Sequence, residues 1–235
     1  RKVFKRNMKG FGDQKQSKKN KIRYENKNFN NEQLIKKAFQ LQAKGNKFEA
    51  AKYYSYLIKN GLKDHRVFSN YGTFLKEIGK LQEAELELTK AITLNPGYAN
   101  AYYNLAGLFI EKGNSHQAEI HLRKTIELNP NFASAHYNLG FILKNLGNLQ
   151  EAKLHIRKAL EIDANLTDAY LSLSTMQETE KDQRWKNLLF SKSLLNNKNN
   201  RELVNILFAR SNTLHKKKEF KDCAETLTKA NTLKL

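Results

Sequence analysis

The chain has 235 residues, of which 40% are hydrophobic, and it carries a formal net charge of +19. Its single cysteine, Cys223, excludes an internal disulfide framework and Cys-x-x-Cys metal or redox sites. The longest apolar run, residues 105–110, is far shorter than the roughly 18 residues of a membrane-spanning helix. One cysteine fits a reducing compartment, and we expect a cytoplasmic protein.

The positive charge is concentrated at the two ends of the chain. Residues 1–30 have 11 Lys or Arg against 2 Asp or Glu, residues 181–235 have 13 against 5, and residues 31–180 have 18 against 16. A nucleic-acid groove would need the charge along its binding face instead. Residues 1–30 also lack periodic apolar residues, so we predict a disordered basic arm. Contact of this arm with nucleic acid or an anionic membrane is the alternative to a solubilising tail.

From Asn31 onward the same pattern returns every 34 residues. Its clearest copy is 99–132, which reads as two amphipathic helices separated by Gly113 and closed by Asn129-Pro130. A small residue in the first helix faces another in the second, so that the two helices can approach closely. The small residues of the first helices are Gly72, Ala106 and Gly140, and those of the second helices are Ala50, Ala84, Ala118 and Ala152.

We divide the chain into 34-residue repeats, numbered from the first. Repeats 1 to 5 occupy residues 31–64, 65–98, 99–132, 133–166 and 167–200. Repeat 5 has Lys181 in place of the turn glycine and Lys186 in place of the small residue of the second helix. A degenerate sixth repeat occupies residues 201–235 and has no polar terminal cap, so we expect the array to continue beyond Leu235.

These residues resemble the tetratricopeptide repeat. The resemblance implies an all-α, right-handed α-solenoid of about six helical hairpins behind the basic arm. Proteins of this family bind peptides or proteins in a concave groove lined mainly by first helices, and they catalyse nothing by themselves. The predicted function is therefore a protein–protein interaction module or scaffold that binds an extended peptide or protein segment.

The resemblance also indicates which residues line the groove, because the family uses fixed positions of each first helix. Asn70, Asn104 and Asn138 recur at one of these positions and resemble the asparagine ladder of tetratricopeptide glycosyltransferases. An amide has both a donor and an acceptor, so it can hold a peptide backbone whatever its side chains. The other predicted groove residues are Arg66, Lys76, Tyr103, Tyr137, Phe141 and Lys144. The alternative is that the amides only solvate the groove and that the aromatic residues only pack.

No catalytic motif is present: the sequence has no glycine-rich phosphate loop, no HExxH and no nucleophile elbow. His121 and His155 occupy the same position of successive second helices, which favours packing or surface roles over a metal site. The cations that some family members use to clamp a C-terminal carboxylate are missing. We therefore predict no catalytic residue, no metal and no cofactor in this chain.

A narrower resemblance offers a second hypothesis. Residues 8–12, 63–85 and 206–235 resemble the N-terminal repeat region of bacterial tetratricopeptide–sulfotransferase proteins. The resemblance implies a following domain that transfers sulfuryl from 3′-phosphoadenylyl sulfate, and the nucleotide-binding element of such a domain is not in these residues. On this alternative the repeats recruit the substrate of a sulfotransferase.

Overall fold

The computed structural model describes residues 30–176 and 184–233. These residues form twelve α-helices and one 3₁₀ helix, with no β-strand among them, which confirms the predicted all-α fold class. The predicted arm lies outside the described residues except for Asn30, which caps the first helix. The chain divides into two compact bodies, residues 1–96 and 97–235, which we call the N-terminal body and the C-terminal body.

The N-terminal body contains four helices, and each packs against the next along the chain. They are α1 (Asn31–Ala43), α2 (Lys47–Lys59), α3 (His65–Glu77) and α4 (Leu81–Leu94). A capping box starts α1, because the Asn30 side chain accepts from the Gln33 backbone and the Gln33 side chain accepts from the Asn30 backbone. Leu34, Tyr54 and Leu57 are among the fully buried residues that join these helices.

The C-terminal body continues the same arrangement and then departs from it. Its helices are α5 (Ala99–Glu111), α6 (Ser115–Leu128), α7 (Ala133–Asn145), α8 (Leu149–Ile162), α9 (Thr167–Ser174), α10 (Arg184–Phe190), the 3₁₀ helix (Ser193–Leu195), α11 (Asn200–Lys216) and α12 (Phe220–Thr232). Each helix from α5 to α9 packs against the next, but α9 then packs against α11, and α11 pairs with α12. Among the described residues, no helix combines the length and hydropathy that a bilayer crossing requires.

The departure occurs at the predicted fifth repeat, where the sequence lacks the turn glycine and the small residue. Helix α9 has 8 residues, against 13 or 14 in the helices of the hairpins before it, and α10 is described from Arg184 to Phe190. Trp185 and Leu189 anchor α10 and are only 4% and 0% exposed. Arg210 on α11 fixes the end of α10, because its guanidinium donates to the backbone carbonyl oxygens of Leu189 (2.8 Å) and Ser191 (3.0 Å).

Small residues set the spacing of the helices within a hairpin, as the sequence predicts. A Cβ atom added at Gly140 would lie 2.5 Å from the Cγ1 of Ile156 and 2.9 Å from the carbonyl oxygen of Ala152. At Gly72 the corresponding distances are 2.8 Å to the Cγ of Leu88 and 3.1 Å to the carbonyl oxygen of Ala84. The backbones of α7 and α8 are therefore too close to admit even a methyl group at Gly140.

We expect the substitution Gly140→Ala to lower the free energy of unfolding by about 1–2 kcal/mol, because the steric cost exceeds the gain in helix propensity. The matched substitution Gly72→Ala meets a longer backbone distance and should cost less. Urea titrations followed by circular dichroism measure both values. A Gly140→Ala protein as stable as the wild type would show that this close approach does not limit the packing.

The turn inside a hairpin requires a left-handed residue. At Gly147 (φ 82°) the backbone N–H donates to the Lys144 carbonyl, and the next N–H donates to the Leu143 carbonyl. The last hairpin makes the same two bonds around Lys218 (φ 63°), to the carbonyls of His215 and Leu214. A side chain in this conformation costs about 1 kcal/mol, so the α11–α12 turn carries strain that the other turns avoid.

We expect Lys218→Gly to stabilise the α11–α12 hairpin by about 0.5–1 kcal/mol, because glycine adopts positive φ without steric cost. The reciprocal substitution Gly147→Lys should destabilise the α7–α8 hairpin by a similar amount. Hydrogen exchange of the α12 and α8 amides reports each effect locally. Faster exchange of α12 amides in Lys218→Gly would contradict the assignment of strain to this turn.

Candidate functional site

The nine predicted groove residues lie on three first helices. Arg66, Asn70 and Lys76 lie on α3; Tyr103 and Asn104 lie on α5; Tyr137, Asn138, Phe141 and Lys144 lie on α7. All are partly buried except Phe141, which is 42% exposed. Because α3 belongs to the N-terminal body and α5 and α7 to the C-terminal body, the two sets are considered separately.

Arg66 already has partners within its own body. Its guanidinium lies 2.7 Å from the Asp64 carboxylate and 3.6 Å from that of Glu32, and it stacks 5.7 Å from the ring centroid of Phe39. Burial alone would raise the pKa of Asp64, but hydrogen bonds and the charge of Arg66 outweigh it and lower that pKa. Asp64 also caps α3. Arg66 therefore stabilises the start of α3, a structural role that the sequence did not predict.

Asn70 lines a small cavity in the N-terminal body. The cavity has a volume of about 20 Å³ and is lined by Gln42, Lys47, Tyr54, Asn70, Thr73, Phe74 and Glu77. An ion pair of 2.7 Å between Lys47 and Glu77 and a hydrogen bond from the Tyr54 hydroxyl to Gln42 lie at its walls. Such a cavity holds about one water molecule and no larger ligand.

Asn138 and Tyr103 are brought together in the C-terminal body. One amide N–H of Asn138 donates to the Tyr103 hydroxyl across 3.3 Å, and the Tyr103 ring packs 4.7 Å from the ring centroid of Phe132. The second N–H and the carbonyl oxygen of Asn138 have no partner among the described residues. One donor and one acceptor of this amide therefore remain available on a partly buried, positioned side chain.

Phe141 lies one turn beyond Asn138 on α7, so the two side chains share a face. Its ring centroid is 6.4 Å from that of Tyr137. Burial raises the pKa of Tyr137, and a hydrogen bond to Ser172 opposes that shift only in part. Lys144, one turn further, donates to the Thr175 hydroxyl across 2.8 Å. Two predicted residues on α7, Tyr137 and Lys144, thus contact α9 or the residue that ends it.

An apolar residue that the sequence did not single out also belongs to this description. Ile110 on α5 is 39% exposed, in the same body as the 42% exposed Phe141. Ile110 occupies one of the family's groove positions, which was the available signal. It lies seven residues, about two helical turns, beyond Tyr103 on α5, so it shares the face of α5 whose Tyr103 hydroxyl accepts from Asn138. We call Ile110, Asn138 and Phe141 the α5–α7 surface.

Comparison with known proteins identifies the repeated unit. Residues 65–98, 87–120 and 121–153 match sequence models of the tetratricopeptide repeat. Residues 65–153 therefore contain tetratricopeptide repeats. No curated protein sequence matches it.

Solved structures share the tetratricopeptide architecture. PilF of Pseudomonas aeruginosa is 16% identical, with a TM-score of 0.65 over 85% of this chain and 88% of that one. MamA of Desulfovibrio magneticus RS-1 is 18% identical, with a TM-score of 0.54 over 87% and 94%. YrrB is 20% identical, with a TM-score of 0.54 over 79% and 90%. Similarities at these identities show the fold alone.

A histidine pair between α7 and α8 was not predicted. The Nδ1 atoms of His136 on α7 and His155 on α8 lie 3.0 Å apart, and the Nε2 of His136 lies 3.0 Å from the Pro130 carbonyl oxygen. In the preceding repeat Tyr102 and His121 occupy the same two positions, with ring centroids 6.2 Å apart. The signal in the sequence was the recurrence of histidine at positions 121 and 155. It did not reveal that His155 pairs with His136 on α7.

The contacts fix the protons of this pair. A carbonyl only accepts, so His136 carries its proton on Nε2, and its Nδ1 accepts from the Nδ1–H of His155. The Nε2 of His155 lies 3.7 Å from the Glu151 carboxylate, which Arg123 engages at 2.7 Å. Across residues 30–176 and 184–233, no cluster of three or more His, Cys, Asp or Glu side chains is arranged to hold a metal ion.

Both histidines have a lowered pKa. Burial is the main cause in each; the charge of Lys158 adds to it at His136, and His136 and Arg123 add to it at His155. The Pro130 carbonyl and Glu151 oppose these shifts without cancelling them. The folded hairpin therefore binds protons less readily than the unfolded chain.

We expect the α7–α8 hairpin to lose stability as the pH falls. The pair's contribution is fully present above the unfolded-state pKa of about 6.5 and is lost as the pH falls through the lowered pKa values of the folded state. Urea unfolding between pH 7.5 and pH 5.0 measures this dependence. The control His136→Gln/His155→Gln cannot titrate at these positions and should show a flatter profile. Identical slopes for the two proteins would contradict the prediction.

Proposed function

We propose that the chain is a protein-interaction module whose α5–α7 surface binds an extended peptide or protein segment. The observation that carries this proposal is the amide of Asn138, which Tyr103 holds in place while a donor and an acceptor stay unpaired among the described residues. A peptide backbone offers the complementary acceptor and donor at each residue.

The side chains near Asn138 indicate which chemical groups the bound segment would carry. Phe141 and Ile110 would each bury apolar area against a hydrophobic side chain of the ligand, which is the usual role of anchor residues. The Lys144 ammonium has three donors, and Thr175 accepts from it across 2.8 Å. We infer that the preferred ligand is an extended segment with an apolar anchor and no cation opposite Lys144.

A structural neighbour supports the class of ligand. YrrB, at a TM-score of 0.54, is described as a tetratricopeptide protein with an unusual peptide-binding site. That precedent favours a peptide ligand for this chain but assigns no residue. The predicted contacts of Tyr103, Asn104, Tyr137 and Lys144 in the C-terminal body, and of Arg66, Asn70 and Lys76 in the N-terminal body, stay predictions.

The alternatives from the sequence have no further support. None of the matched proteins links the chain to a sulfotransferase, so a substrate-recruiting role beside a domain using 3′-phosphoadenylyl sulfate stays a prediction. Contact of residues 1–30 with nucleic acid or an anionic membrane, and a cytoplasmic location, also stay predictions.

The test uses a displayed library of random twelve-residue peptides panned against the full chain. Selected peptides are labelled, and their dissociation constants are measured by fluorescence anisotropy. We expect Asn138→Ala and Phe141→Ala each to weaken binding about tenfold, because each removes roughly 1–2 kcal/mol of contact. Asn70→Ala, in the other body, reports separately whether the ligand reaches α3.

Matched controls separate this surface from any other exposed position. Asn231 on α12 is an exposed asparagine, and Leu154 on α8 is a 65% exposed apolar residue. Alanine at either position should leave the affinities unchanged. The proposal fails if every selected peptide binds the Asn138→Ala and Phe141→Ala proteins as tightly as the wild type.

A further inference from the structure

A second surface surrounds α10, where the chain departs from the tetratricopeptide pattern. We call it the α10 surface, and it comprises Lys186, Leu188, Phe190, Lys192, Arg210 and Lys217. Leu188 and Phe190 are 40% and 39% exposed, while Trp185 and Leu189 on the same helix are buried. Helix α10 therefore exposes Leu188 and Phe190 to solvent, although its buried residues Trp185 and Leu189 already anchor it.

Two cations lie against the exposed aromatic ring. The guanidinium carbon of Arg210 is 5.6 Å from the ring centroid of Phe190, and the ammonium of Lys217 is 5.8 Å from it. On the same helix the ammonium of Lys186 is 5.9 Å from the ring of Trp185. These contacts hold the cations beside apolar side chains, where a charged and apolar ligand would meet both.

The charge of Arg210 is held in place without a carboxylate. Its guanidinium donates to the carbonyl oxygens of Leu189 and Ser191, which leaves three of its five N–H groups without a partner in the described part of the chain. No described ion pair joins Arg210 or Lys217 to an acidic side chain. The two carbonyl bonds position the guanidinium, and its remaining donors match the oxygens of a carboxylate.

The part of the chain that contains the α10 surface has an excess of positive charge. Residues 184–233 contain eleven Lys or Arg against four Asp or Glu, whereas residues 31–180 are close to neutral. Of the four acidic residues, Glu202 lies in the first turn of α11 beside Lys198, and the other three lie at the start of α12 or within it. The excess positive charge therefore lies in the stretch from α10 to α12 and not in the repeats before it.

We propose that the α10 surface is a docking site for an acidic polypeptide segment that carries an apolar side chain, separate from the α5–α7 surface. Carboxylates of the segment would pair with Arg210 and Lys217, and its apolar side chain would cover Leu188 and Phe190. A phosphodiester backbone would satisfy the cations but leave Leu188 in water. Two exposed apolar side chains are also too few to insert α10 into a lipid surface.

The test measures binding of two labelled peptides to the full chain by fluorescence anisotropy. The acidic probe is EEDLFEEDLFEE, and the neutral probe QQNLFQQNLFQQ has the same apolar residues. We expect the acidic probe to bind at least tenfold more tightly and to weaken as salt rises from 50 to 200 mM, because exposed charges are screened. Equal affinities for the two probes would overturn the proposal.

Charge-matched variants locate the site. Lys192→Gln/Lys217→Gln removes two cations from the α10 surface, and Lys59→Gln/Lys63→Gln removes two exposed cations from the N-terminal body. We expect the first pair to weaken binding of the acidic probe about fivefold and the second to leave it unchanged. Phe190→Ala should cost a similar factor, because it removes an exposed apolar side chain and the ring against which Arg210 and Lys217 lie. Equal losses in the two lysine pairs would place the binding elsewhere.

Further controls distinguish this proposal from the α5–α7 surface and from other anionic ligands. Asn138→Ala and Phe141→Ala should leave binding of the acidic probe unchanged, so the two proposals fail independently. Hydrogen exchange should slow in α10 and in the second half of α11 when the acidic probe binds. Tighter binding to vesicles containing phosphatidylserine, or to a twenty-residue oligo-dT, with loss in the same variants, would overturn the assignment of a polypeptide ligand.

Discussion

The close contact between the two helices of a hairpin is the constraint on which the described structure depends. Where α7 crosses α8, a glycine meets the backbone of the facing helix, and any larger residue would force the helices apart. Because the two helices are so close, Leu139 and Ile156 are fully buried. Each hairpin is thus stable only together with its neighbours, as expected of repeat proteins, and the small residues must recur in register.

This constraint also decides where binding surfaces can form. In α3 and α7, one side is used by the hairpin contact, and another side packs on the preceding second helix, α2 or α6. The side chains left over are those such as Asn138 and Phe141, which lie one turn apart. Tyr103, from the preceding first helix, accepts from Asn138, and Thr175, at the end of α9, accepts from Lys144. The scaffold therefore fixes the positions of these groups, and the interaction chemistry depends on which residue types occupy them.

Much of the fold followed from the 34-residue period, because small residues and turn glycines act locally or at a fixed spacing. The left-handed residue at Gly147 and the full burial of Ala152 are of this kind. The contacts that the sequence did not predict join residues that have no fixed spacing within the 34-residue period. Arg66 pairs with the cap of its own helix, His136 meets His155 from the other helix, and α9 packs against α11 where the period is lost. Sequence pattern places a residue on a face, but a distance between two side chains depends on the packed helices.

The pairing of α9 with α11 has a consequence for how such a chain changes length in evolution. In the C-terminal body, the hairpins α5–α6 and α7–α8 each pack their second helix on the first helix that follows, so a copy of one of them keeps neighbours of the same kind. The pairing of α9 with α11 has no equivalent elsewhere in the described chain, and Arg210 reaches back across it to the end of α10. A duplication spanning that junction would separate Arg210 from its two carbonyl acceptors. The helices α9, α10 and α11 are therefore expected to be inherited together, while the hairpins α5–α6 and α7–α8 can be copied singly.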